Sequence, residues 1–297
     1  MSAGDGDGWV EFPDGSRRWG RYGAAGLLLH AAGTTGASAP PEGGHVLLQH
    51  RAVWSHMGDT WGIPGGALDS DETAVQAAMR EFHEEVAGDS GDLELIGVYR
   101  QELTVWRYDT VLARVVETRP LTPGDGESQE VRWVPLDEVS ALPLIPAFRG
   151  VWPDLRAALA QRLEVVVDAA AVLGTPSPEP DSVVRLRDDL AALAADGITA
   201  AALPDSVSLA PLERWFPRIR LLVGGAVAGV LPRPGVEPVA VGDTGPDPLT
   251  HTWPDAAGWA AWTQPGTLVV SAGPRRPGGP EVVPPGWLVG PSGLLAV

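Results

Sequence analysis

Three glutamates stand close together in the sequence, at positions 81, 84 and 85. In an α-helix of 3.6 residues per turn, Glu81, Glu84 and Glu85 fall within one arc of roughly 100°. Like charges at these spacings destabilise a helix by about 0.2–0.5 kcal/mol per pair, so a bound cation would offset the repulsion. Carboxylate oxygens select hard cations such as Mg²⁺ or Mn²⁺. The spacing therefore favours a metal site, and the alternative is a solvated acidic face.

The segment around these glutamates has the apolar spacing of a helix. Val75, Met79, Phe82 and Val86 follow one another at intervals of four, three and four residues. This spacing predicts a helix over Thr73–Val86 with the apolar stripe buried. Because the glutamates lie away from the stripe, we expect all three to face solvent.

The charged residues stand at fixed distances from a glycine that precedes the helix. Glu72 follows Gly66 by six residues, and Arg80 comes directly before the first of the three glutamates. This spacing resembles the Nudix box, a loop-helix motif of metal-dependent hydrolases. The resemblance extends to Trp61–Gly66 before the box and to Val131–Leu136 after it.

The sequence departs from the motif at the end of the helix. The family has a glycine two residues after the last glutamate and an apolar residue next, whereas Ala87 and Gly88 stand at these positions. We therefore expect the helix to continue one residue further, to Gly88 as its C-cap glycine. Every charged position is kept, and the resemblance spans roughly residues 18–160, about half of the chain.

The resemblance implies a fold and a set of site residues. The fold is an α+β sandwich of mixed sheet between helices. Arg80 would pair with Glu72 and orient the catalytic carboxylates. Gly65 and Gly66 would allow a tight loop, one backbone carbonyl of which also ligates metal. The implied metal ligands are Glu81, Glu84, Glu85 and the Gly65 loop.

Four residues outside the box have two interpretations each. Many family members draw a further acid from a loop ahead of the last strand, where Glu127 is the candidate and Glu130 the runner-up; either could instead be a solvated loop residue. Trp61 could stack on a nucleobase or anchor the core. Arg51 could reach a phosphate, although a surface ion pair is the more common role.

The resemblance also implies a mechanism. Metal ions bridge the diphosphate and lower the pKa of a bound water. A carboxylate then takes the proton of that water, and Glu81 and Glu84 are both candidates for this base. The predicted reaction, with Mg²⁺ or its substitute Mn²⁺, cleaves a nucleoside diphosphate linked to another group. A (d)NTP or oxidised (d)NTP would give a monophosphate and pyrophosphate.

Markers of some other Nudix subfamilies are missing from this sequence. No proline lies between Gly88 and Pro120, which removes the ADP-ribose-type marker, and the array of NADH pyrophosphatases is absent. The alternative to an enzyme is a Nudix-fold sensor of a nucleotide or ADP-ribose with little turnover. Such sensors commonly lose the box glutamates, and all of them are kept here.

The composition restricts the partners. A net charge of −17 argues against a surface that follows a nucleic-acid backbone. The chain has no cysteine, which excludes thiol catalysis and Cys-ligated zinc. Neither a secretory signal nor a membrane span is recognisable, so we expect a cytoplasmic protein and leave self-association open. Arginine without lysine or asparagine indicates a high-GC, for example actinobacterial, genome.

At the end of the first half, Pro153–Leu163 is predicted to form a helix with Pro153 in its first turn. The second half shows an alternation of strand and helix patterns, which includes a Pro/Gly-rich connector at Leu231–Pro238 and a helix around Ala256–Trp262. This alternation favours a smaller three-layer α/β domain with a parallel sheet. The division is therefore 1–160 and 161–297. A weaker resemblance of the second half to PIN/NYN-like nuclease domains rests on Asp168, which ends a strand, and on Asp247. Such sites need three or four carboxylates, and Ala171 stands where the motif has asparagine. We therefore expect a degenerate domain, with one Asp that merely ends a buried strand as the plainer interpretation.

Overall fold

The computed structural model of the protein describes residues 4–32, 44–55, 57–224, 229–241, 266–272, 280–289 and 293–295. The chain divides into two compact units, the first formed by Met1–Ala160 with Ala210–Glu213, the second by Gln161–Leu209 with Arg214–Val297. The segment Ala210–Glu213 is attached to the rest of the first unit by a hydrogen bond from the Glu213 N–H to the Val98 carbonyl (2.8 Å).

The first unit contains eleven described strands and two helices. They are β1 (Trp9–Glu11), β2 (Arg17–Trp19), β3 (Ala24–Ala31), β4 (His45–Arg51), β5 (Trp61–Gly62), β6 (Gly65–Ala67), α1 (Ala74–Glu85), β7 (Val86–Ala87), β8 (Glu94–Leu103), β9 (Trp106–Val115), β10 (Thr122–Pro123), β11 (Ser128–Pro135) and α2 (Pro146–Leu159). A short 3-10 turn, Val139–Ala141, precedes α2.

The main sheet of the first unit is mixed and lies at the centre of its core. Strands β11, β4, β3, β9 and β8 are neighbours in this order, with β5 paired to β4 and β6 paired to β3. Strands β3 and β9 are parallel, and the other pairs are antiparallel. All eight residues of β3 are buried, as expected of a central strand covered on both faces. The mixed sheet with helices confirms the predicted fold class.

Helix α1 begins after a capping box. The Gln76 N–H donates to the Thr73 hydroxyl at 3.2 Å, and the Thr73 N–H donates to the Gln76 side chain at 2.9 Å. Val75 and Met79 of the predicted stripe are only half-buried. Phe82 and Val86 of the stripe are buried as predicted, whereas at its first two positions the small residues Ala77 and Ala78 face inward instead. The buried residues of the helix are Ala77, Ala78, Phe82 and Glu85.

Helix α1 ends at Glu85. Val86 is extended (φ −125°, ψ 120°), and together with Ala87 it forms β7, which pairs with β10. The expected continuation to Gly88 was therefore wrong, because the small antiparallel ladder takes the two residues that would have extended the helix. Gly88 has a positive φ of 120°, which favours glycine at the turn after β7.

Helix α2 begins earlier than the sequence pattern indicated. The prediction was Pro153–Leu163, whereas the helix spans Pro146–Leu159. Pro146 lies in its first turn, where the missing N–H costs nothing, and Pro153 lies inside the helix. The prediction gave the first-turn position to the wrong proline.

The second unit contains seven described strands and two helices. They are β12 (Glu164–Asp168), α3 (Ala169–Leu173), α4 (Pro180–Asp196), β13 (Ile198–Thr199), β14 (Arg214–Trp215), β15 (Arg218–Gly224), β16 (Val236–Val241), β17 (Thr267–Val270) and β18 (Glu281–Val283). Two 3-10 turns are Ala200–Ala202 and Pro285–Trp287.

Five strands of the second unit form a parallel sheet in the order β16-β15-β12-β17-β18. Val166, Leu222 and Val269, from three neighbouring strands, pack together as its core. A parallel sheet is what the alternating pattern predicted. The predicted connector Leu231–Pro238 contains the start of β16, and the predicted helix around Ala256–Trp262 lies outside the described residues.

The described helices of both units are too short or too polar to cross a membrane.

Candidate active site

Gly65 and Gly66 lie in β6, at the start of the segment before α1, which we name the glycine loop (residues 65–73). Both glycines are in close contact with neighbouring parts of the first unit. Neither glycine has a positive φ, so the loop does not depend on their backbone freedom. A Cβ on Gly66 would lie 2.5 Å from the carboxylate carbon and both carboxylate oxygens of Glu81. A Cβ on Gly65 would meet the backbone of β3, 2.5 Å from the Gly26 Cα. The glycine pair therefore serves close approach, which corrects the expected tight-turn role.

Arg80 connects this loop to the carboxylates of α1. Its Nε and Nη2 donate to the two carboxylate oxygens of Glu72 at 2.7 and 2.9 Å, and Nη2 also donates to the Ala67 carbonyl at 2.9 Å. Its Nη1 donates to Glu81 at 2.7 Å. These hydrogen bonds lower the pKa of Glu72 and raise the pKa of Arg80. One guanidinium thus fixes a loop glutamate and a helix glutamate together.

The three helix glutamates differ in exposure. Glu85 is 7% exposed, whereas the side chains of Glu81 and Glu84 are 16% and 42% exposed. Glu85 accepts a hydrogen bond from the Gly65 N–H at 2.8 Å. The expectation that all three face solvent was wrong for Glu85, because the glycine loop folds over the end of the helix. The same loop covers much of Glu81.

The two covered carboxylates are poorly solvated. Burial raises the pKa of Glu85 to about 8; the Gly65 hydrogen bond acts in the opposite direction, and the charge of Glu81 adds to the rise. Burial also raises the pKa of Glu81, against the lowering effect of Arg80. The charge of Glu81 therefore makes ionisation of Glu85 harder, and the charges of Glu84 and Glu72 do the same for Glu81. A bound cation would relieve both the repulsion and the poor solvation.

The loop before β11 lies beside the end of α1. The Gly124 N–H donates to the Glu85 carbonyl at 2.7 Å, and the charge of Asp125 contributes to the raised pKa of Glu85. Glu127, the predicted further acid, is 54% exposed and lies 3.8 Å from Arg51. Asp125 was not predicted from the sequence, although its place two residues before Glu127 in a Gly/Asp-rich loop was a usable signal.

Trp61 is buried, with 5% of its surface exposed. The His50 ring stacks on it at a centroid distance of 4.9 Å and an interplanar angle of 4°. The guanidinium carbon of Arg132 lies 4.5 Å from the Trp61 ring centroid, and Arg132 also lies 3.7 Å from Glu130, the runner-up acid. Protein side chains cover the indole, which favours the core-anchor interpretation over nucleobase stacking.

Residues 4–8, which we name the N-terminal strap, pack on the loop that precedes α1. The Gly6 N–H donates to the Asp69 carboxylate at 2.8 Å, and the Ser70 N–H donates to the Asp5 carboxylate at 2.9 Å. The Asp69 N–H in turn donates to Glu72 at 3.1 Å. The strap was not predicted from the sequence; its alternating Gly and Asp residues were the available signal.

Among the described residues, no three His, Asp or Glu side chains are already gathered as a metal-binding group. The donors nevertheless suit a hard divalent cation, because Glu81, Glu84, Glu85 and Asp125 offer only oxygen atoms. Glu81 and Glu85 are also largely buried, so a bound cation would offset the cost of keeping both carboxylates ionised. The residues present therefore fit Mg²⁺ or Mn²⁺.

Asp168, the candidate in the second unit, has a structural role at the start of α3. It is 3% exposed, and its Oδ1 accepts from the N–H groups of Ala170 and Ala171 at 3.0 and 3.2 Å. The Ser271 hydroxyl lies 3.5 Å from its other oxygen. This is an N-cap at the end of a buried strand. Asp247, the second matching acid, lies outside the described residues.

A mixed sheet beside a glycine loop, with a glutamate-rich helix tied to that loop by Arg80, defines a Nudix-type hydrolase. The NUDIX domain family matches residues 34–155. The chain belongs to the Nudix family, and it is a hydrolase that acts on acid anhydrides.

Individual relatives match the first half of the chain. A Mycobacterium tuberculosis protein named "Putative 8-oxo-dGTP diphosphatase 3" is 49% identical over 161 residues, covering 52% of this chain and 71% of that protein. A "Nucleoside triphosphate pyrophosphatase/Nudix hydrolase fusion protein" of Bifidobacterium longum is 41% identical, covering 52% of this chain and 32% of that protein. The crystal structure of a Nudix hydrolase from M. smegmatis, RenU, is 44% identical with a TM-score of 0.47, covering 52% of this chain and 96% of that one. The Mycobacterium tuberculosis relative agrees with the expected actinobacterial source.

Proposed function

We propose that the first unit hydrolyses a nucleoside triphosphate, or an oxidised nucleoside triphosphate, to a monophosphate and pyrophosphate with Mg²⁺ or Mn²⁺. The observation that carries the proposal is the Arg80 bridge, which holds Glu72 and Glu81 at 2.7 Å each. The 49% identical relative, whose name specifies 8-oxo-dGTP, supports an oxidised purine nucleotide as substrate. We further propose that the substrate is a nucleotide and not a nucleic acid, and that the protein is cytoplasmic.

The metal would be held by the helix glutamates and the neighbouring loops. Glu81, Glu84 and Glu85 supply carboxylates, the Gly65 loop supplies a carbonyl, and Asp125 or Glu127 supplies a further acid. When bound, the ion would neutralise charge on the phosphates and lower the pKa of the attacking water.

Arg80 acts on the reaction through Glu81. Its guanidinium is fixed by both oxygens of Glu72, so the Glu81 carboxylate that it holds has little freedom to rotate. A carboxylate must take the proton of the attacking water, and the candidates are Glu81 and the more exposed Glu84. The Glu84 carboxylate lies 3.8 Å from Arg80, so both candidate bases lie beside the Arg80 guanidinium.

Direct assay tests the proposal. The full-length protein is incubated with dGTP, 8-oxo-dGTP, ADP-ribose, NADH and dinucleoside polyphosphates, with Mg²⁺ or with a chelator, and the products are identified. We expect turnover of a triphosphate to monophosphate and pyrophosphate in Mg²⁺ alone. Glu84→Gln should lower the rate at least about 10²-fold without unfolding the chain, because this side chain is the most exposed of the three.

Two results would overturn the proposal. Near wild-type turnover of Glu84→Gln at saturating Mg²⁺ would show that the box is not the active site. Tight binding of a nucleotide without any turnover would instead identify a sensor, in which the second unit transmits the signal.

A further inference from the structure

The loop that follows β4 exposes three large apolar side chains within five residues. Val53 is 71% exposed, Trp54 73% and Met57 46%. We name residues 52–55 and 57–59 the β4–β5 loop. Single exposed apolar residues are common on protein surfaces, whereas a group of exposed apolar residues often marks a binding site.

The described residues of the β4–β5 loop are connected by backbone hydrogen bonds. The Ser55 N–H donates to the Ala52 carbonyl and the Gly58 N–H to the Ser55 carbonyl, both at 2.9 Å. Met57 and Asp59 have positive φ values of 55° and 62°, which cost energy for residues other than glycine. Backbone strain of this kind persists mainly where function requires a particular loop shape. The exposed indole therefore lies on a loop with a specific backbone conformation.

The β4–β5 loop begins at the candidate active site. The Ala52 N–H donates to the Glu127 carbonyl at 2.7 Å, and the Glu127 carboxylate lies 3.8 Å from Arg51. Three residues before Glu127, the Gly124 N–H donates to the Glu85 carbonyl at 2.7 Å, so one short segment contacts both the end of α1 and the start of the β4–β5 loop. Since Trp54 follows Arg51 by three residues, their Cα atoms are at most about 10 Å apart. Trp54 therefore lies on a loop that starts beside the segment in contact with the end of α1.

We propose that Trp54 is the surface on which the base of the substrate stacks while its phosphates meet the carboxylates of α1. The assignment rests on the proposed function. Trp61, the only tryptophan of this region considered from the sequence, is covered by His50 and Arg132, so it offers no free ring face to a base. An exposed indole binds any base through its π face. Trp54 therefore provides affinity for nucleotides in general, more for purines than for the smaller pyrimidines.

The test compares Trp54→Ala and Trp54→Phe with wild type in the full-length protein. With dGTP and dTTP as substrates in Mg²⁺, we expect Trp54→Ala to raise KM about tenfold, equivalent to about 1.4 kcal/mol, with kcat nearly unchanged. Trp54→Phe should recover most of the affinity, and the loss should be greater for dGTP than for dTTP. Val116→Ala is the control, because Val116 is also an exposed apolar residue (84%) but lies directly after the end of β9, outside the β4–β5 loop.

A binding experiment separates this inference from the proposed function. Quenching of tryptophan fluorescence by dGMP, and by ribose 5-phosphate as a probe without a base, is measured without turnover. We expect dGMP to quench wild type more strongly than Trp54→Phe, and ribose 5-phosphate to quench both alike. If the protein hydrolyses dGTP but KM and quenching are the same in Trp54→Ala, the stacking role is wrong and the proposed function stands. If no nucleotide is hydrolysed although dGMP quenches through Trp54, the proposed function fails alone. If fluorescence quenching by every nucleotide is the same in wild type and in the Trp54 variants, the inference is overturned. The loop would then be a candidate surface for a protein partner.

Discussion

Gly66→Ala adds one methyl group where the glycine loop meets the candidate catalytic carboxylate. The new Cβ would lie 2.5 Å from three atoms of the Glu81 side chain, whereas ordinary contacts are 3.4–4 Å. Glu81 must therefore move by about 1 Å, which breaks its 2.7 Å bond with Arg80. A misplacement of about 1 Å in catalytic geometry costs on the order of 10²-fold in rate. We expect kcat to fall about 10²-fold, equivalent to about 2.7 kcal/mol in the barrier.

The fold should survive this change, because the displaced atoms belong to the end of a flexible side chain. Gly65→Ala is the contrasting variant: its Cβ meets the backbone of β3, so it should lower the free energy of unfolding by about 1–3 kcal/mol. Gly150→Ala, inside α2 with nothing near its Cβ, should be neutral or stabilise by about 0.5–1 kcal/mol. Steady-state kinetics at saturating Mg²⁺ and thermal melts measure all three. Full activity of Gly66→Ala would refute the argument from Glu81 placement.

Three further predictions concern pH, the strap and the second unit. Because burial raises the pKa of Glu85 from 4.5 to about 8, the folded state holds this proton more tightly than the unfolded chain, and the stability of the metal-free protein falls as pH rises across that range. Mg²⁺ should thus raise the melting temperature more at pH 8 than at pH 6, and equal shifts would contradict this. Removing residues 1–8 should lower kcat several-fold by loosening the Asp69–Glu72 contact; unchanged kinetics would show that the strap has no positioning role. Asp168→Ala should cost about 1 kcal/mol of stability in urea unfolding. Neither it nor wild type should cleave single-stranded RNA or DNA in Mn²⁺, and cleavage by wild type that Asp168→Ala abolishes would contradict a degenerate site.

The sequence indicated the charged positions well, because the spacing of Glu72, Arg80 and the helix glutamates is a local pattern. It could not indicate the burial of Glu85, since helical periodicity describes one element and the covering group, the Gly65 N–H, comes from another. The same limit applies to Trp61, whose covering partners lie on strands β4 and β11. Exposure is set by tertiary packing, which no spacing along one segment contains.

The ends of the elements depended on weaker signals. The helix was expected to run to Gly88 because glycine is a common helix terminator, yet the β7–β10 ladder competes for Val86 and Ala87 and prevails. For α2, Pro146 and Pro153 both fit the first turn of a helix. Only the packing of the residues between them on the core decides which proline is first.

The N-terminal strap bears on the order in which the molecule assembles. Gly6 and Asp5 bind residues 63 and 65 positions later in the chain, so these contacts can close only once the loop ahead of α1 is in place. Long-range closure of this kind comes late in folding, after local helices and hairpins. The loop that carries Glu72 therefore completes its native surroundings among the last parts of the first unit. In the native state the amide hydrogens of Gly6 and Ser70 would open to solvent exchange as one cooperative unit.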